Sequence, residues 1–304
     1  MNELPKTYTS ADLAERGKVF RELDPPARLA IFGDPVAHSA SPPMQNAALK
    51  AQGRDLQFVR IHVTPQALPE ALAALPRAGF LGTNLTIPHK QAALELVDDL
   101  SREARLMGAI NTVAVRDGKL HGHNTDGPGF AAAIQEEFGV ALGSMRVLIL
   151  GGAGGAGRAI TVQCALAGCP KIIVANRNSA KGETLAAEIK GELGLNVTAV
   201  SMDASEVRAA VASSDLIVNA TPLGMKAQDA SPLPEGSESA LSKGHLVYDT
   251  VYSGGNTALL RQAQEAGAKS ASGLSMLLHQ GALAYEIWFG EPAPLETMRK
   301  ALRS

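Results

Sequence analysis

The sequence has few cysteines, and their placement argues against a disulfide framework and a metal centre. Its 304 residues include two, Cys164 and Cys169, which fall in one apolar helical pattern and its end. This placement is unlike a disulfide-stabilised fold, and two cysteines are too few for a structural zinc site. The seven histidines show no metal-ligand spacing. We therefore expect no metal ion, and a chain that resides in the reducing cytoplasm.

Strong charge and long apolar runs are also missing. The formal net charge is −2, and Lys and Arg are scattered along the chain, so no global field recruits nucleic acid or an anionic membrane. No apolar stretch approaches the ~20 residues that span a bilayer. The N-terminal residues lack the apolar core and cleavage site of a signal peptide. We expect neither a nucleic-acid nor a membrane partner.

What the sequence does have is a regular alternation of short apolar runs with helical patterns, which predicts an α/β fold. At roughly 100–200 residues per domain, 304 residues suggest two domains. Alternation of this kind indicates a mostly parallel sheet. In the first domain the predicted elements are strands Leu29–Phe32, Gln57–Val63 and Phe80–Leu85 and helices near Pro42–Ala51 and Gln66–Ala78. Asp117-Gly118 is a strong hairpin signal between Ile110–Val115 and Lys119–His123, and it predicts an antiparallel edge.

A second unit repeats the alternation. Its predicted strands are Val147–Leu150, Ile172–Ala175, Val197–Val200, Leu216–Asn219 and Leu246–Tyr248. The last long helix, Leu274–Phe289, is apolar nearly all round, so we expect it to be buried between the domains or against the first. The predicted domains are 1–125, 126–272, and C-terminal helices over 273–304 that return to the first domain. Residues 1–27 are predicted to be a polar extension with a short helix, capped by Thr9 or Ser10 and running through Arg16.

The most specific local pattern is the G-x-G-x-x-G of Gly152–Gly157, which follows an apolar strand and opens a helix. Glycines at this spacing permit a tight turn and let the backbone approach a pyrophosphate at the positive end of the helix. The context favours a dinucleotide. A plain glycine-rich turn, or a ligand such as S-adenosylmethionine, is the alternative.

The residues at the end of the next strand favour NADP over NAD. In folds that bind NAD, an acidic residue here bonds the ribose 2′-hydroxyl. This chain has Asn176-Arg177-Asn178 and no acid before Glu183. Arg177 would pair with a 2′-phosphate, which a carboxylate would repel. The alternative is an ordinary surface arginine.

Several polar residues of the first domain have both a structural and a functional interpretation. Ser39 and Ser41 lie at a predicted helix start, where Ser41 would be an ordinary helix cap and Ser39 stays unexplained. Thr86 and Lys90 follow the third strand, at the end where open α/β sheets bind ligands. A single lysine is more often solvated, however, and Asp126 would be an ordinary helix cap.

Together these segments resemble the shikimate dehydrogenase family, from about Arg28 to the end of the chain. The resemblance is carried by Gly33–Pro42 (GDPVAHSASP), Asn84–Lys90 (NLTIPHK), Gly108–Thr112 (GAINT), Gly122–Gly129 (GHNTDGPG), Gly151–Arg158 (GGAGGAGR), Asn219–Met225 (NATPLGM), Tyr248–Tyr252 (YDTVY) and Gly273–Trp288 (GLSMLLHQGALAYEIW). It implies an N-terminal α/β substrate domain with a mostly parallel sheet, and a Rossmann-type, doubly wound NADP-binding domain. It implies an enzyme that reversibly reduces 3-dehydroshikimate to shikimate with NADPH, in the biosynthesis of chorismate and the aromatic amino acids.

The resemblance also implies roles for individual residues. Lys90 and Asp126 would be the catalytic pair. The substrate carboxylate would be held by Ser39, Ser41 and Tyr252, and its ring hydroxyls by Thr86, Asn111, Asp126 and Gln280, with Lys90 also in contact. The cofactor would be held by Gly151, Gly152, Ala153, Gly154, Gly155, Ala156, Asn176, Arg177, Asn178, Thr221, Pro222, Leu223, Gly224, Val251, Gly273 and Met276.

The chain departs from the family pattern at a few positions. Gln45 replaces a histidine, Asn178 replaces a threonine, and Gly254-Gly255 replace a proline. The alternatives that stay open are a quinate/shikimate dehydrogenase with relaxed substrate or cofactor choice, an enzyme for aminoshikimate or another cyclic polyol acid, and a ligand-binding regulator on the same scaffold. Methylene-tetrahydrofolate dehydrogenases have a related architecture but fit the serine pair poorly. The expected assembly is a monomer or a homodimer.

Overall fold

The computed structural model describes residues 6–226, 228–252 and 255–303, and the chain divides into two compact units. The first contains Met1–Thr125 and Leu277–Ser304, and the second contains Asp126–Met276. The second division therefore lies a few residues after the expected 272, within the last long helix. Within the described ranges, no helix is long and apolar enough to cross a membrane.

The first unit is built on a seven-stranded mixed sheet. Its strands are β1 (Thr7–Thr9), β2 (Ala27–Gly33), β3 (Gln57–His62), β4 (Gly82–Leu85), β5 (Asp99–Leu100), β6 (Thr112–Arg116) and β7 (Lys119–His123), in the order β1-β3-β2-β4-β6-β7-β5. The first four are parallel, and β4, β6 and β7 are joined by antiparallel pairs. Asp117 and Gly118 both have positive φ, 52° and 76°, which is the type I′ hairpin turn that their sequence predicted.

Helices cover both faces of this sheet. They are α1 (Ala14–Arg21), α2 (Ser41–Ala51), α3 (Leu68–Ala78), α4 (His89–Ala92) and α5 (Arg102–Met107), followed later in the chain by the long C-terminal helix and a final short one. Successive residues of β2 belong to different cores: Ala30 and Phe32 to one, Leu29 and Ile31 to the other. Because side chains alternate along a strand, β2 is buried on both faces, and this explains its continuous apolar run.

The N-terminal extension, which the sequence analysis described as polar, contributes buried residues to this core. Within the described residues from Lys6 onward, β1 pairs with β3. A 3-10 helix over Ser10–Leu13 leads directly into α1, so the helical segment begins where predicted but runs to Arg21 rather than Arg16. Tyr8 and Phe20 are buried with ring centroids 4.9 Å apart, and Phe20 contacts Phe80 at 5.2 Å. These aromatic contacts are long-range in sequence, which is why local polarity did not reveal them. Residues 1–5 lie outside the described residues.

The second unit contains a six-stranded, wholly parallel sheet. Its strands are β8 (Arg146–Leu150), β9 (Lys171–Ala175), β10 (Thr198–Val200), β11 (Leu216–Asn219), β12 (Leu246–Asp249) and β13 (Lys269–Ser272), and its helices are α6 (Asp126–Phe138), α7 (Gly155–Leu166), α8 (Ser179–Leu193), α9 (Ala204–Ala212) and α10 (Ala258–Glu265). The order β10-β9-β8-β11-β12-β13 is the doubly wound order of a Rossmann fold. This order confirms the predicted fold class. The strand order changes direction between β8 and β11, which is the topological switch point of the sheet.

The last two helices are α11 (Leu274–Phe289) and α12 (Leu295–Arg303). From Leu277 onward, this segment is counted with the first unit. Leu278 and Tyr285 of α11 lie in the same core as Leu29, and the Trp288 indole donates to the carbonyl of Val113 at 3.0 Å.

Candidate active site

Polar side chains of the first unit converge where β4 ends. Because β4 and β6 are antiparallel, the end of β4 lies beside the start of β6, with Asn84 opposite Thr112. The buried Asn84 side chain donates to the carbonyl of Asn111 at 3.1 Å and to Oγ1 of Thr112 at 3.0 Å. We call Asn84, Thr86, Lys90, Asn111 and Gln280 the polar cluster.

Asn111 is the centre of the polar cluster. Its Nδ2 donates to Oγ1 of Thr125 at 2.9 Å and to Oε1 of Gln280 at 3.4 Å. Its Oδ1 accepts from the backbone N–H of Thr125 at 2.8 Å. Gln280, a polar residue on a helix that is otherwise largely apolar, thus has a partner from a distant part of the sequence. These bonds fix two amides that the resemblance assigned to hydroxyl recognition.

Thr86 is held by the loop that follows β2. Its backbone N–H donates to the carbonyl of Phe32 at 2.9 Å, and the backbone N–H of Asp34 donates to the carbonyl of Ile87 at 3.0 Å. A Cβ on Gly33 would lie 2.4 Å from Cγ2 of Thr86. Gly33 is therefore required for the two loops to meet.

Lys90 lies on the short helix α4, next to a buried histidine. His89 is 1% exposed, and its Nε2 is 2.7 Å from the carbonyl oxygen of Val63, to which it donates. Burial lowers the pKa of His89, so its ring is neutral near pH 7. The carbonyl of Lys90 accepts from the N–H of Ile110 at 2.8 Å. Lys90 is thus anchored through its backbone on one side and its neighbour's ring on the other, while its side chain is half-buried.

The two serines have different structural roles from those the sequence suggested. Helix α2 begins at Ser41, its cap residue is Ala40, and no side chain caps it. The Oγ of Ser39 accepts from the N–H of Ser41 at 3.3 Å. The interpretation of Ser41 as the cap was wrong, because Ser41 is already the first helical residue and the cap position belongs to Ala40.

Asp126 is the first residue of α6 and is buried. It directly follows Thr125, which is bonded to Asn111. The helix starts at Asp126 itself. Since Asp126 is counted with the second unit and Lys90 with the first, their pairing stays a prediction.

In the second unit, the glycine-rich loop joins β8 to α7 at the topological switch point of the sheet. A Cβ on Gly152 would lie 2.6 Å from Cγ1 of Val174, and one on Gly157 would lie 2.1 Å from the carbonyl oxygen of Gly151. A Cβ on Gly155 would meet no atom of the chain within 4 Å. Two of these glycines are therefore needed for packing, and Gly155 is not.

The start of α7 fits a phosphate group. Its cap residue, Gly154, provides no side-chain hydrogen bond, and the N–H groups of Gly155 and Ala156 have no acceptor within the described residues. Free N–H groups and the positive helix end favour an anion. Asn176 accepts from the N–H of Ala153 at 3.3 Å, and its buried Nδ2 has no partner in the described part of the chain. The loop therefore offers unsatisfied donors, as a dinucleotide site requires.

Arg177 is exposed at the end of β9 and makes no ion pair within the described ranges. Asn178 caps α8 by accepting from Lys181 at 3.4 Å. The amide that replaces the family's threonine thus has a local structural role, and contact between Asn178 and the cofactor stays a prediction.

The Thr221–Gly224 loop is fixed by a buried network below it. Asn219 accepts from the Thr221 hydroxyl at 2.7 Å, and donates to the Leu223 carbonyl at 3.0 Å and to Asp249 at 2.8 Å. Asp249 also accepts from Thr257 at 2.6 Å. Burial raises the pKa of Asp249. Pro222 is part of this exposed turn.

The remaining predicted cofactor contacts follow β12 and β13. Val251 donates to Asp249 at 3.0 Å, and its carbonyl accepts from Gly273 at 3.2 Å. The backbone N–H of Met276 donates to the Tyr248 hydroxyl at 3.1 Å. Tyr252 is 41% exposed. Residues 253–254, and with them Gly254, lie outside the described residues. Among those described, no group of three or more His, Cys, Asp or Glu side chains is placed to hold a metal ion.

Comparison with known proteins decides the family. Three family models match: the shikimate dehydrogenase substrate binding domain over residues 31–113, the shikimate / quinate 5-dehydrogenase over 132–228, and the shikimate 5′-dehydrogenase C-terminal domain over 273–303. A curated relative from Methanopyrus kandleri, named shikimate dehydrogenase (NADP(+)), is 42% identical over 274 residues, or 90% of this chain and 94% of the relative. The chain belongs to the shikimate dehydrogenase family.

Solved structures of the family agree. Shikimate 5-dehydrogenase from Thermus thermophilus, in complex with NADP(H) and shikimate, is 38% identical with a TM-score of 0.80, over 91% of this chain and 98% of that one. Shikimate 5-dehydrogenase from Listeria monocytogenes, in complex with shikimate and NAD, is 33% identical with a TM-score of 0.84, over 91% and 96%. The family resemblance and the fold class predicted from the sequence are confirmed.

Two buried polar residues beside the family's motifs escaped sequence analysis. Asp249 lies within the YDTVY motif but received no role, and Arg60 lies inside the apolar strand β3. The available signal was the same for both: a charged residue in an apolar run, whose burial needs a partner.

Proposed function

We propose that this chain is an NADP-dependent shikimate dehydrogenase that reversibly reduces 3-dehydroshikimate to shikimate. The observation that carries the proposal is the polar cluster, in which Asn111 and Gln280 are held at 3.4 Å from each other and the backbone of Lys90 is bonded to the residue before Asn111. Fixed amides, on a segment that is bonded to the backbone of a lysine, suit a small polyhydroxylated acid. The names of the relatives support the same reaction.

For the substrate, we propose three sets of contacts. Ser39, Ser41 and Tyr252 hold the carboxylate. Thr86, Asn111, Asp126 and Gln280 bond the ring hydroxyls, and Lys90 contacts the oxygen at the reacting carbon. A site built to hydrogen-bond hydroxyl groups strongly rejects analogues that lack them.

For the cofactor, the residues of the second unit fit NADP. The free N–H groups at the start of α7 suit its pyrophosphate, and Arg177 suits its 2′-phosphate. We propose that Asn176, the Thr221–Gly224 loop and Met276 complete the site. The chemistry that a bound nicotinamide supplies is hydride transfer to the ring carbonyl carbon.

For the proton, we propose Lys90. As an ammonium, its Nζ stabilises negative charge on the carbonyl oxygen and donates the proton that the alcohol needs. In the oxidation direction, Nζ accepts that proton. Asp126 is the proposed partner that orients Lys90 and bonds the neighbouring hydroxyl.

The reaction belongs to the pathway to chorismate and the aromatic amino acids. We place the enzyme in the cytoplasm, where its two free thiols, Cys164 and Cys169, stay reduced. We propose a monomer or homodimer.

The decisive experiment is a panel of shikimate and quinate, each with NADP⁺ and NAD⁺. We expect shikimate with NADP⁺ to give the highest kcat/KM. The match to a model named for both substrates makes a relaxed quinate/shikimate dehydrogenase the second candidate. Comparable turnover of quinate, or comparable use of NAD⁺, would select that candidate, and no turnover of either acid would contradict both.

A further inference from the structure

Arg60 is a buried cation without a carboxylate partner. It lies on β3 and is 6% exposed. Its Nη2 donates to the carbonyl of Ser39 at 2.6 Å, its Nε is enclosed without an acceptor, and it forms no ion pair within the described ranges. Phe58 shares its face of the strand, while Val59 and Ile61 pack in the core on the opposite face. Arg60 therefore points to the side of the sheet that carries α2.

An isolated buried guanidinium is costly to the fold. Burial lowers the pKa of Arg60, yet a guanidinium remains charged at neutral pH. One backbone carbonyl satisfies one of its five donors. An apolar residue would fit the strand at less cost. The charge thus calls for a counter-ion that the described residues do not supply.

The surroundings of Arg60 are short of negative charge. Ser39, which it holds, also accepts from Ser41 at the start of the eleven-residue helix α2, where the positive end of the helix adds to the field. Asp34, the acid of this loop, is 2.8 Å from His62, two residues beyond Arg60. The Arg60 guanidinium, the start of α2 and the hydroxyl groups of Ser39 and Ser41 are therefore close in the chain's fold, while the carboxylate of Asp34 is already paired with His62.

We propose that Arg60 is a positioning and specificity residue: it holds the Ser39 loop, and its charge makes the enzyme select a substrate that carries a carboxylate. The inference rests on the proposed function, because Ser39 and Ser41 are the proposed carboxylate contacts. Arg60 acts through Ser39 and through its field.

The expected selectivity follows from charge separation. For a separation of about 7 Å between the substrate carboxylate and the guanidinium, taken as a working value, and an effective dielectric constant of about 20, the attraction corresponds to roughly 50-fold in affinity. An uncharged ester loses this attraction. The enzyme should thus prefer shikimate over methyl shikimate, and most of the preference should appear in KM.

Two substitutions separate charge from hydrogen bonding. Arg60→Gln keeps a donor for the Ser39 carbonyl but removes the charge, and Arg60→Lys keeps the charge. We expect Arg60→Gln to raise KM for shikimate about 10- to 50-fold and to change the values for methyl shikimate less than about threefold. Arg60→Lys should retain most of the preference. Arg28→Met is the matched control, since Arg28 also donates to a backbone carbonyl, that of Gly79 at 3.0 Å.

Calorimetry measures the binding of shikimate and methyl shikimate without cofactor. Because it does not depend on turnover, it tests the role of Arg60 separately from the proposed function. Equal losses for shikimate and its ester in Arg60→Gln would overturn the inference and leave Arg60 a structural residue. A wild-type preference below about threefold would overturn it even if Arg60→Gln failed to fold. If the wild type binds shikimate in a charge-selective manner that requires Arg60 but does not oxidise it, the proposed function fails and the inference stands.

Discussion

Two neighbouring glycines at the start of α7 are expected to respond in opposite ways to the same substitution. A Cβ at Gly157 would lie 2.1 Å from the carbonyl oxygen of Gly151 and 2.9 Å from the Cα of Gly152. Both are backbone atoms, so relief requires the helix to move away from the loop. At Gly155, a Cβ meets nothing within 4 Å. Gly157→Ala is therefore a packing defect, whereas Gly155→Ala changes only the surface that the helix start presents.

The magnitudes follow from these contacts. Relieving the overlap in Gly157→Ala should lower the free energy of unfolding by about 1–3 kcal/mol, or roughly 2–12 °C in Tm for a unit of this size. Gly155→Ala should leave Tm unchanged. It should weaken NADP⁺ binding about 10- to 100-fold, because a methyl group keeps the pyrophosphate from the charge-assisted bonds of the N–H groups.

Thermal unfolding without ligand and calorimetric titration with NADP⁺ test the pair. The shikimate affinity of Gly155→Ala serves as an internal control and should be unaffected. Normal NADP⁺ binding by Gly155→Ala would refute the assignment of this helix start to the pyrophosphate. Normal stability of Gly157→Ala would refute the steric argument.

Three further predictions concern single side chains. Lys90→Ala should lower kcat by about 10²–10⁴-fold with little change in shikimate binding; a kcat within a fewfold of the wild type, measured where chemistry limits the rate, would remove Lys90 from proton transfer. Arg177→Ala should raise KM for NADP⁺ about tenfold and spare NAD⁺, with a smaller effect at high salt because the side chain is exposed; equal effects on both cofactors would speak against a 2′-phosphate contact. Burial lowers the folded-state pKa of His89 below its unfolded value. The neutral ring therefore contributes to the free energy of unfolding above about pH 6.5. That contribution is lost as pH falls, by up to about 1.4 kcal/mol per pH unit. In urea unfolding between about pH 5 and 8, His89→Gln should flatten this slope, and an unchanged slope would assign it to other groups.

Local signals predicted much of the fold. The alternation of apolar runs located most strands to within one or two residues, and Asp117-Gly118 specified its hairpin turn through two residues with positive φ. The missed strands are β1, β5 and β13, which contain two to four residues each. They are strands because a neighbour at a sheet edge pairs with them. That information is not local, and the polar residues of Lys269–Ser272 show no apolar alternation.

The site was less predictable because its bonds join distant segments. Sequence spacing placed Thr86 and Lys90 at the end of a strand, where ligands bind, but it offered no partner for Gln280. The partner is Asn111, 169 residues earlier, and it is reached only because α11 returns to the first unit. The substrate contact that the family resemblance implies for Gln280 stays a prediction, and the hydrogen bond shows how its amide is positioned.

In the proposed cofactor site of the second unit, the sequence pattern located the residues, but only the packing shows what each of them does. The G-x-G-x-x-G pattern fixes Gly152, Gly154 and Gly157 and leaves residue 155 variable. The structure gives a steric reason at Gly152 and Gly157, which leave no room for a side chain, and shows open space at Gly155. Asn178 differs from the family pattern and caps α8, a role that threonine also fills, so the cap does not depend on this departure. Arg177, which has no carboxylate partner in the described part of the chain, therefore carries the assignment of NADP, and its substitution is the sharpest test of it.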